Sequence, residues 1–104
     1  MNLLTAAGRR ALPALYAQED LGDDAVAHVK FFDPCGAATW YATEFDGDDT
    51  FFGLCDLGVG FPELGYFSLS ELESVRGPLG LGIERDLHWK ARPLRECKVA
   101  GALR

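Results

Sequence analysis

Acidic side chains on neighbouring predicted strands are the residues of this chain best suited to chemistry. Glu44 and Asp56 fall on two consecutive strand-like segments, and Glu84 and Asp86 flank an arginine on a third. Nucleases hold Mg²⁺ through two or three converging carboxylates of this kind. The four residues are therefore an alternative metal or nuclease site, although a ladder of surface charges across strands explains the same pattern.

Histidine and cysteine offer a second route to a metal or a nucleophile. The histidines are His28 and His88, and the cysteines are Cys35, Cys55 and Cys97. None of them stands at the spacing of a zinc finger or in a Cys-x-x-Cys pair. A Cys–His nucleophilic pair requires a contact in space that the sequence alone does not reveal. We therefore predict no metal and no cofactor.

Charge is distributed unevenly along the chain, whose net charge is −6. Residues 17–56 hold ten acidic residues against one base, whereas residues 85–104 hold six bases against two acids. The acidic stretch repels phosphate and favours a protein partner with a basic surface. The predicted partner-binding residues are Glu19, Asp20, Asp23, Asp24, Asp46, Asp48 and Asp49. A merely solubilising surface explains the same charges, and two opposed patches also permit self-association into a homo-oligomer.

The rest of the composition limits the class of protein. The 104 residues suit one domain, 1–104. No segment is apolar for long enough to be a membrane span or a secretory signal, and unpaired cysteines are typical of a reducing cytoplasm. The basic tail, with Arg92, Arg95 and Lys98, predicts no more than weak binding to nucleic acid at low salt.

A short helix is predicted near the start of the chain. Thr5 is a suitable N-cap because its hydroxyl can accept a free N–H of the first turn, and Pro13 should stop or kink the helix. We expect Leu12, Leu15 and Tyr16 to pack onto a sheet. An acidic loop, Glu19 to Asp24, follows the helix.

Alternating apolar, aromatic and β-branched residues then predict an antiparallel meander. Its strands are Ala25–Phe32, Thr39–Phe45, Thr50–Leu57 and Leu64–Phe67, and a last strand is Ile83–Trp89. The turn signals DPCG and DGDD separate the first three strands. We expect the carboxylates of the DGDD turn to be solvated.

A capping box, Ser68-Leu69-Ser70-Glu71, starts a second predicted helix over Leu69–Arg76. Leu69, Leu72 and Val75 stand at helical spacing and should face the sheet. These elements predict an α+β fold: a small antiparallel sheet of four to five strands packed by two short helices.

Seven blocks of the sequence resemble one protein family. They are LP.LY, VKFF.P, TWY.TE, FFGL.D, ELGYFSL.ELES, RGP.GLG.ERD and a closing PL, and the resemblance as a whole covers roughly residues 3–94. The blocks are similar to domain-of-unknown-function family 2958, a group of small bacterial domains carried on plasmids, integrative elements and phages.

The resemblance implies an accessory protein of a mobile genetic element. We expect a non-enzymatic protein that binds and inhibits a host defence component, a CRISPR or restriction complex, with its acidic side chains imitating phosphates. The alternative is a single-stranded DNA endonuclease or another DNA-processing factor of a conjugative element, a label that some relatives carry. A structural accessory without a ligand of its own is a third reading.

Overall fold

The computed structural model describes residues 3–97, and its centre is a sheet built from the aromatic-rich segments of the chain. Aromatic and β-branched residues suit a pleated surface better than a helix. The elements are α1 (Ala6–Ala11), β1 (Val26–Ala27), β2 (Val29–Phe32), β3 (Thr39–Phe45), β4 (Thr50–Asp56), β5 (Glu63–Ser68), α2 (Leu69–Ser74), β6 (Glu84–Arg85) and β7 (Arg92–Pro93), with 3₁₀ turns at Glu19–Asp24 and Pro78–Gly80.

Strands β2 to β5 form the predicted antiparallel meander. β6 pairs with the other side of β2, so the order across the sheet is β5-β4-β3-β2-β6. The DPCG and DGDD segments connect β2 to β3 and β3 to β4, as the sequence predicted. The predicted α+β fold is confirmed, with five strands in the antiparallel sheet of the described residues.

Two strand predictions are wrong in extent. The segment 25–32 forms two strands instead of one, because β1 pairs with β7 in a separate two-stranded sheet while β2 pairs with β3. The predicted strand 83–89 shrinks to β6, because the chain turns at Asp86, whose carboxylate accepts the N–H of His88 at 2.9 Å. Leu87, which the pattern placed within that strand, is 74% exposed in the turn.

Both predicted helices are present, and each is capped as expected. The Thr5 hydroxyl accepts the N–H of Gly8 at 3.0 Å, and α1 ends before Pro13. The Ser68 hydroxyl accepts the N–H of Glu71 at 3.2 Å. Each helix has six residues and is shorter than its sequence pattern suggested.

The shorter α2 changes which of its side chains are buried. Leu69 and Leu72 are buried, as predicted. Val75 lies at the C-cap in an extended conformation and is 39% exposed, so the expectation that it faces the sheet is wrong. Tyr16 is likewise 62% exposed instead of packed on the sheet.

β3 contains one residue more than the segment of β4 that it pairs with. The register passes from Ala42 opposite Gly53 to Glu44 opposite Phe52, which leaves Thr43 as a bulge. The Thr43 hydroxyl donates to the Phe52 carbonyl at 3.0 Å. A bulge shifts the alternation of side chains by one residue, so Glu44 points to the same face of the sheet as Phe52.

One face of the sheet, which we call the closed face, is covered over β2, β3, β4 and β5. Phe31 and Phe51 are 0% exposed there, with ring centroids 5.3 Å apart. The side chains that cover it come from the N-terminal segment, α2 and the approach to β6: Leu3, Leu4, Leu12, Leu69, Leu72 and Ile83. Burial of this apolar area makes the closed face the main source of hydrophobic stabilisation.

Polar contacts hold the N-terminal segment over the closed face. The N–H of Leu3 donates to the Glu73 carboxylate at 3.0 Å, and the Arg85 guanidinium donates to the Leu3 carbonyl at 2.6 Å. Both backbone groups of a residue that is 2% exposed are thereby satisfied, so the segment can be buried without loss of hydrogen bonding.

The opposite face, which we call the open face, is covered only in part. Its smaller cluster consists of Ala25, Ala27, Tyr41, Leu54, Leu94 and Cys97, and includes residues beside the β1–β7 pair. Trp89 packs on this cluster and donates its ring N–H to the Ala27 carbonyl at 2.9 Å. Towards β5 the cover ends, and Leu64 and Tyr66 are 47% and 57% exposed.

None of the helices in residues 3–97 is long and apolar enough to cross a membrane.

Candidate functional site

A pocket of about 300 Å³ lies where the cover of the open face ends. It is lined by Tyr16, Gln18, Glu19, Gly22 and Ala25 from the segment before β1, by Thr43, Glu44, Phe52, Leu64 and Tyr66 from the sheet, and by Leu94. Ligand sites in proteins are typically concave and mostly apolar, with a few placed polar groups. This pocket is therefore the candidate functional site.

Glu44 is the buried charged group of the pocket, and the residue is 3% exposed. One carboxylate oxygen accepts the N–H of Tyr16 at 2.7 Å, and the other accepts the N–H of Gln18 at 2.9 Å. Both oxygens of the side chain are therefore satisfied by backbone donors. Charge-assisted hydrogen bonds of this kind offset the cost of burial, so Glu44 ties the pocket wall to the sheet.

Gln18 fastens the same wall to two strands. Its side-chain NH₂ donates to the carbonyls of Val26 at 3.0 Å and Thr43 at 2.8 Å, and its side-chain oxygen accepts the N–H of Val26 at 2.7 Å. The amide thus occupies the place that a neighbouring strand would take at the start of β1. The residue is 8% exposed, so these bonds are protected from water.

Tyr16 and Tyr66 meet at the mouth of the pocket. Tyr16 has a φ of 72°, a left-handed conformation that a residue with a side chain adopts rarely and at a cost in free energy. The bond from its N–H to Glu44 helps to hold it there. The Tyr66 hydroxyl donates to the Tyr16 hydroxyl at 3.5 Å, and this bond raises the pKa of the Tyr66 phenol.

Four of the predicted partner-binding residues lie in the acidic segment, Glu19–Asp24, which borders the pocket: Glu19, Asp20, Asp23 and Asp24. All residues of the segment are exposed. Asp24 forms an ion pair with Arg95, with side chains 59% and 55% exposed. An ion pair this exposed contributes little to stability, but it offsets one negative charge of the segment.

The other three predicted partner-binding residues lie in the β3–β4 turn, where Asp46 has a structural role. Its Oδ1 accepts the N–H groups of Asp48, Asp49 and Thr50 at 2.8, 2.9 and 3.0 Å. These bonds, led by that of Asp48, lower the pKa of Asp46 and keep its carboxylate ionised. Asp48 itself is exposed.

Asp49 links the same turn to α2. Its carboxylate accepts the hydroxyl of Ser68 and the N–H of Ser70, the latter at 2.8 Å. The Ser68 bond is the largest of the causes that lower the pKa of Asp49. Asp46 and Asp48 are exposed, as predicted, whereas Asp49 is half-buried. The sequence did not predict that Asp46 and Asp49 also hold the turn together.

The four carboxylates of the predicted alternative metal or nuclease site do not come together. Glu44 lies in the pocket, whereas Asp56 is at the opposite end of β4 from the partner of Glu44. Glu84 is exposed on β6, and Asp86 pairs with Lys30 at 3.6 Å. Among the described residues, no group of three or more His, Cys, Asp or Glu side chains is placed to hold a metal ion.

The surroundings of the cysteines and histidines determine their exposure and shift the pKa of three of them. Burial raises the pKa of the Cys55 and Cys97 thiols to about 11, so both stay protonated at neutral pH. Cys35 is exposed in the β2–β3 connection. Burial lowers the pKa of His28, which favours the neutral imidazole, and His88 is exposed.

Two residues of the basic tail, Arg92 and Arg95, make contacts within the fold. The Arg92 guanidinium lies 4.5 Å from the centroid of the Trp89 ring, and the Lys30 ammonium lies 5.6 Å from it. Arg95 pairs with Asp24. Lys98 lies outside the described residues, so its predicted role has no structural counterpart here.

One family model covers the whole of the described chain. It is described as "Protein of unknown function (DUF2958)", and it matches residues 3–97. The chain belongs to this family. No curated protein and no solved structure matches the chain.

Membership of DUF2958 was predicted from the sequence blocks, but the pocket was not. Tyr16 and Tyr66 both lie within those blocks, yet they are 50 positions apart, and nothing in the sequence indicated that they are in contact. Nothing in the sequence marked Gln18 as a residue of the pocket. A useful signal was available for Glu44, because a glutamate between Thr43 and Phe45 in an otherwise apolar strand is a candidate for burial with a backbone partner.

Proposed function

We propose that this protein is a non-enzymatic binding protein that holds a basic segment of a partner protein at the pocket of the open face. The observation that carries the proposal is the lining of the pocket. A buried carboxylate, Glu44, lies there beside the aromatic rings of Phe52 and Tyr66, and the acidic segment forms the rim. This combination suits a cation on an aliphatic stem.

An arginine or lysine side chain matches each part of this lining. Its charged head is attracted by Glu19 and by the face of an aromatic ring, the latter contributing about 0.5–2 kcal/mol according to exposure. Its methylene stem can pack against Leu64 and Phe52 while the head stays near water. The volume of about 300 Å³ is at the lower end of ligand pockets and suits a single side chain.

The acidic residues around the pocket would bring a basic partner to it. Long-range attraction between opposite charges raises the association rate more than it raises the affinity. Asp46 keeps its charge because its pKa is lowered, and Asp48 is exposed beside it. The turn and the acidic segment would then imitate the phosphates of a nucleic acid.

We also propose the biological setting. The protein belongs to a bacterial mobile element, acts in the cytoplasm and inhibits a host defence component, either a CRISPR or a restriction complex. CRISPR effectors hold the guide–target duplex in a positively charged channel, which would accept an acidic protein in place of the nucleic acid. The support for this setting is the resemblance of the seven sequence blocks to a family of domains that we expect to be carried on mobile elements.

Cleavage assays test the inhibitory role. A panel of purified CRISPR effectors and restriction enzymes is mixed with increasing amounts of the protein and with its DNA target. We expect cleavage by one member of the panel to stop at about one protein per complex, as tight binding without turnover requires. Full cleavage by every member, or inhibition at catalytic amounts of the protein, would contradict the proposal.

Matched charge variants test the site. The pair Glu19→Gln with Asp20→Asn removes two charges next to the pocket, and the pair Glu71→Gln with Glu84→Gln removes two from exposed positions on α2 and β6. The first pair should slow association with the inhibited complex and reduce its salt dependence, and the second should have less effect. Equal effects would mean that net charge alone drives binding, and the pocket would lose its role.

A further inference from the structure

β5 lies at an edge of the sheet and lacks most of the features that normally protect an edge, since Glu63 is its one charged residue. It has β4 on one side, and within residues 3–97 no strand pairs with its other side. Natural edges are usually protected by lysine, proline, bulges or very short strands. The six residues of β5 contain neither lysine nor proline, and they pair with β4 without a bulge.

The hydrogen-bond pattern shows which backbone groups of β5 are already used. The N–H of Leu69 donates to the carbonyl of Asp49 at 2.8 Å, directly after the last pair of the ladder. Hydrogen-bonded pairs alternate along an antiparallel ladder. Counting back in steps of two from this pair, the residues whose backbone groups face β4 are Phe67, Gly65 and Glu63.

The backbone groups of Leu64 and Tyr66 therefore point away from the sheet. The side chains of the same two residues lie on the open face and line the pocket. Opposite residues of an antiparallel pair place their side chains on the same face. A strand added along β5 would therefore present every second side chain next to the pocket while bonding to the free backbone groups.

We propose that the basic segment binds as an additional antiparallel strand along β5, with an arginine or lysine side chain reaching into the pocket. This inference rests on the proposed function, because it specifies how the partner of that function is held. Backbone hydrogen bonds to Leu64 and Tyr66 supply affinity, and the pocket selects the side chain.

Charge favours a basic segment over a second copy of this chain. Glu63 is exposed on β5 itself, and Glu19 and Glu44 line the pocket beside it. Two copies paired through β5 would place two chains of net charge −6 next to each other. A segment rich in arginine or lysine instead meets charges of the opposite sign.

The β4–β5 loop extends this surface with apolar side chains. Val59 and Phe61 are 79% and 91% exposed, and the loop leads directly into β5. An apolar residue of the partner segment, placed at the end next to Glu63, would pack against these two side chains.

A synthetic peptide of alternating valine and arginine tests the inference. Fluorescence anisotropy measures its binding to the complete chain. Two further peptides carry N-methyl groups either on every arginine or on every valine. In the proposed pairing the arginine N–H groups face β5, so methylating them should weaken binding by about tenfold or more through loss of backbone hydrogen bonds. Methylating the valines should change the affinity by less than about twofold.

The outcomes separate this inference from the proposed function. Equal effects of the two methylated peptides would overturn strand addition. If the Glu19→Gln with Asp20→Asn pair still weakened the unmodified peptide in that case, the pocket would retain its proposed role. Failure of the unmodified peptide to bind at all would overturn both.

A variant of the chain provides a second test. Leu64→Pro removes an outward N–H and leaves the ladder to β4 intact, whereas Leu64→Ala removes the side chain and keeps the N–H. Leu64→Pro should weaken the peptide more than Leu64→Ala. Equal weakening would contradict strand addition, and a dimer in sedimentation that Leu64→Pro dissociates would identify a second copy as the occupant.

Discussion

The closed and open faces are built from the same strands and differ in what covers them. Phe51 and Phe52 are neighbours in β4, yet Phe51 is 0% exposed in the main core while Phe52 is half-buried at the pocket. In β5, Phe67 packs against the closed-face cluster, whereas Tyr66 is 57% exposed on the open face. Cover, rather than residue type, therefore decides which of these rings belongs to the core.

The two faces also differ in the residues that they expose. An antiparallel sheet with one solvated face normally carries polar residues there. Here the exposed part of the open face carries Phe52, Leu64 and Tyr66. Stability comes mainly from the closed face, and the proposed binding function places recognition on the open face.

The strongest test of this comparison replaces the two neighbouring phenylalanines. Phe51→Ala should lower the free energy of unfolding by about 3–5 kcal/mol, because it leaves a cavity in a packed core. Phe52→Ala should lower it by about 1 kcal/mol, because the half-buried ring leaves no closed cavity. Urea denaturation of both variants measures the difference. Equal losses would show that the open face contributes to stability as the closed face does.

Glu44→Ala tests whether the pocket wall depends on one carboxylate. Two N–H groups, those of Tyr16 and Gln18, would lose a charged acceptor, so we expect a loss of about 2–3 kcal/mol. Limited proteolysis should then cut the segment before β1 more rapidly. The exposed Glu84→Ala is the control and should change stability by less than about 0.5 kcal/mol. An unchanged stability in Glu44→Ala would mean that the carboxylate does not hold the wall.

Ser68→Ala tests the cover of the closed face through α2. The helix would lose its N-cap bond to Glu71, and Asp49 would lose a donor, so we expect a loss of about 1 kcal/mol in urea denaturation. Ser74→Ala removes a hydroxyl from the exposed end of the same helix and should cost clearly less. A larger loss of stability in Ser74→Ala than in Ser68→Ala would show that the N-cap does not hold α2 over the closed face.

The smallest expected effect is a pH dependence at His28, which lies between β1 and β2. Burial lowers its pKa in the folded protein below the ordinary 6.5, so the unfolded chain binds the proton more readily. Its contribution to stability is complete above about pH 6.5 and is lost as the pH falls through the lowered value. Urea midpoints at several pH values should show a slope that His28→Gln reduces. If His88→Gln, a change at an exposed histidine, reduced the slope equally, His28 would not be the source of the pH dependence.

Local signals predicted most of the sheet and both helix caps. The bounds of β3 were predicted correctly, because its aromatic and β-branched residues are contiguous and its turns are marked by proline, glycine and aspartate. The cap at Ser68 was predicted because the hydroxyl and the Glu71 N–H that it accepts are only three residues apart. In both cases the physical cause is contained in the segment itself.

The site was not predictable because its causes lie far apart in the chain. Glu44 has the appearance of a surface or catalytic acid until its partners are known, and Tyr16 precedes it by 28 residues. The break between β1 and β2 depends on β7, near the end of the described chain. The left-handed conformation of Tyr16 has no signal at all, since glycine is the residue expected there.

The bulge at Thr43 has a consequence for how such a pocket can arise. A bulge leaves its extra residue outside the regular pairing, and the carbonyl of Thr43 is the group that Gln18 binds. Without the extra residue, β3 would still pair with β4 and keep Glu44 and Phe45 on their present faces, but the attachment point for Gln18 would be gone. The extra residue thus supplies one of the points at which the segment before β1 is attached to the sheet.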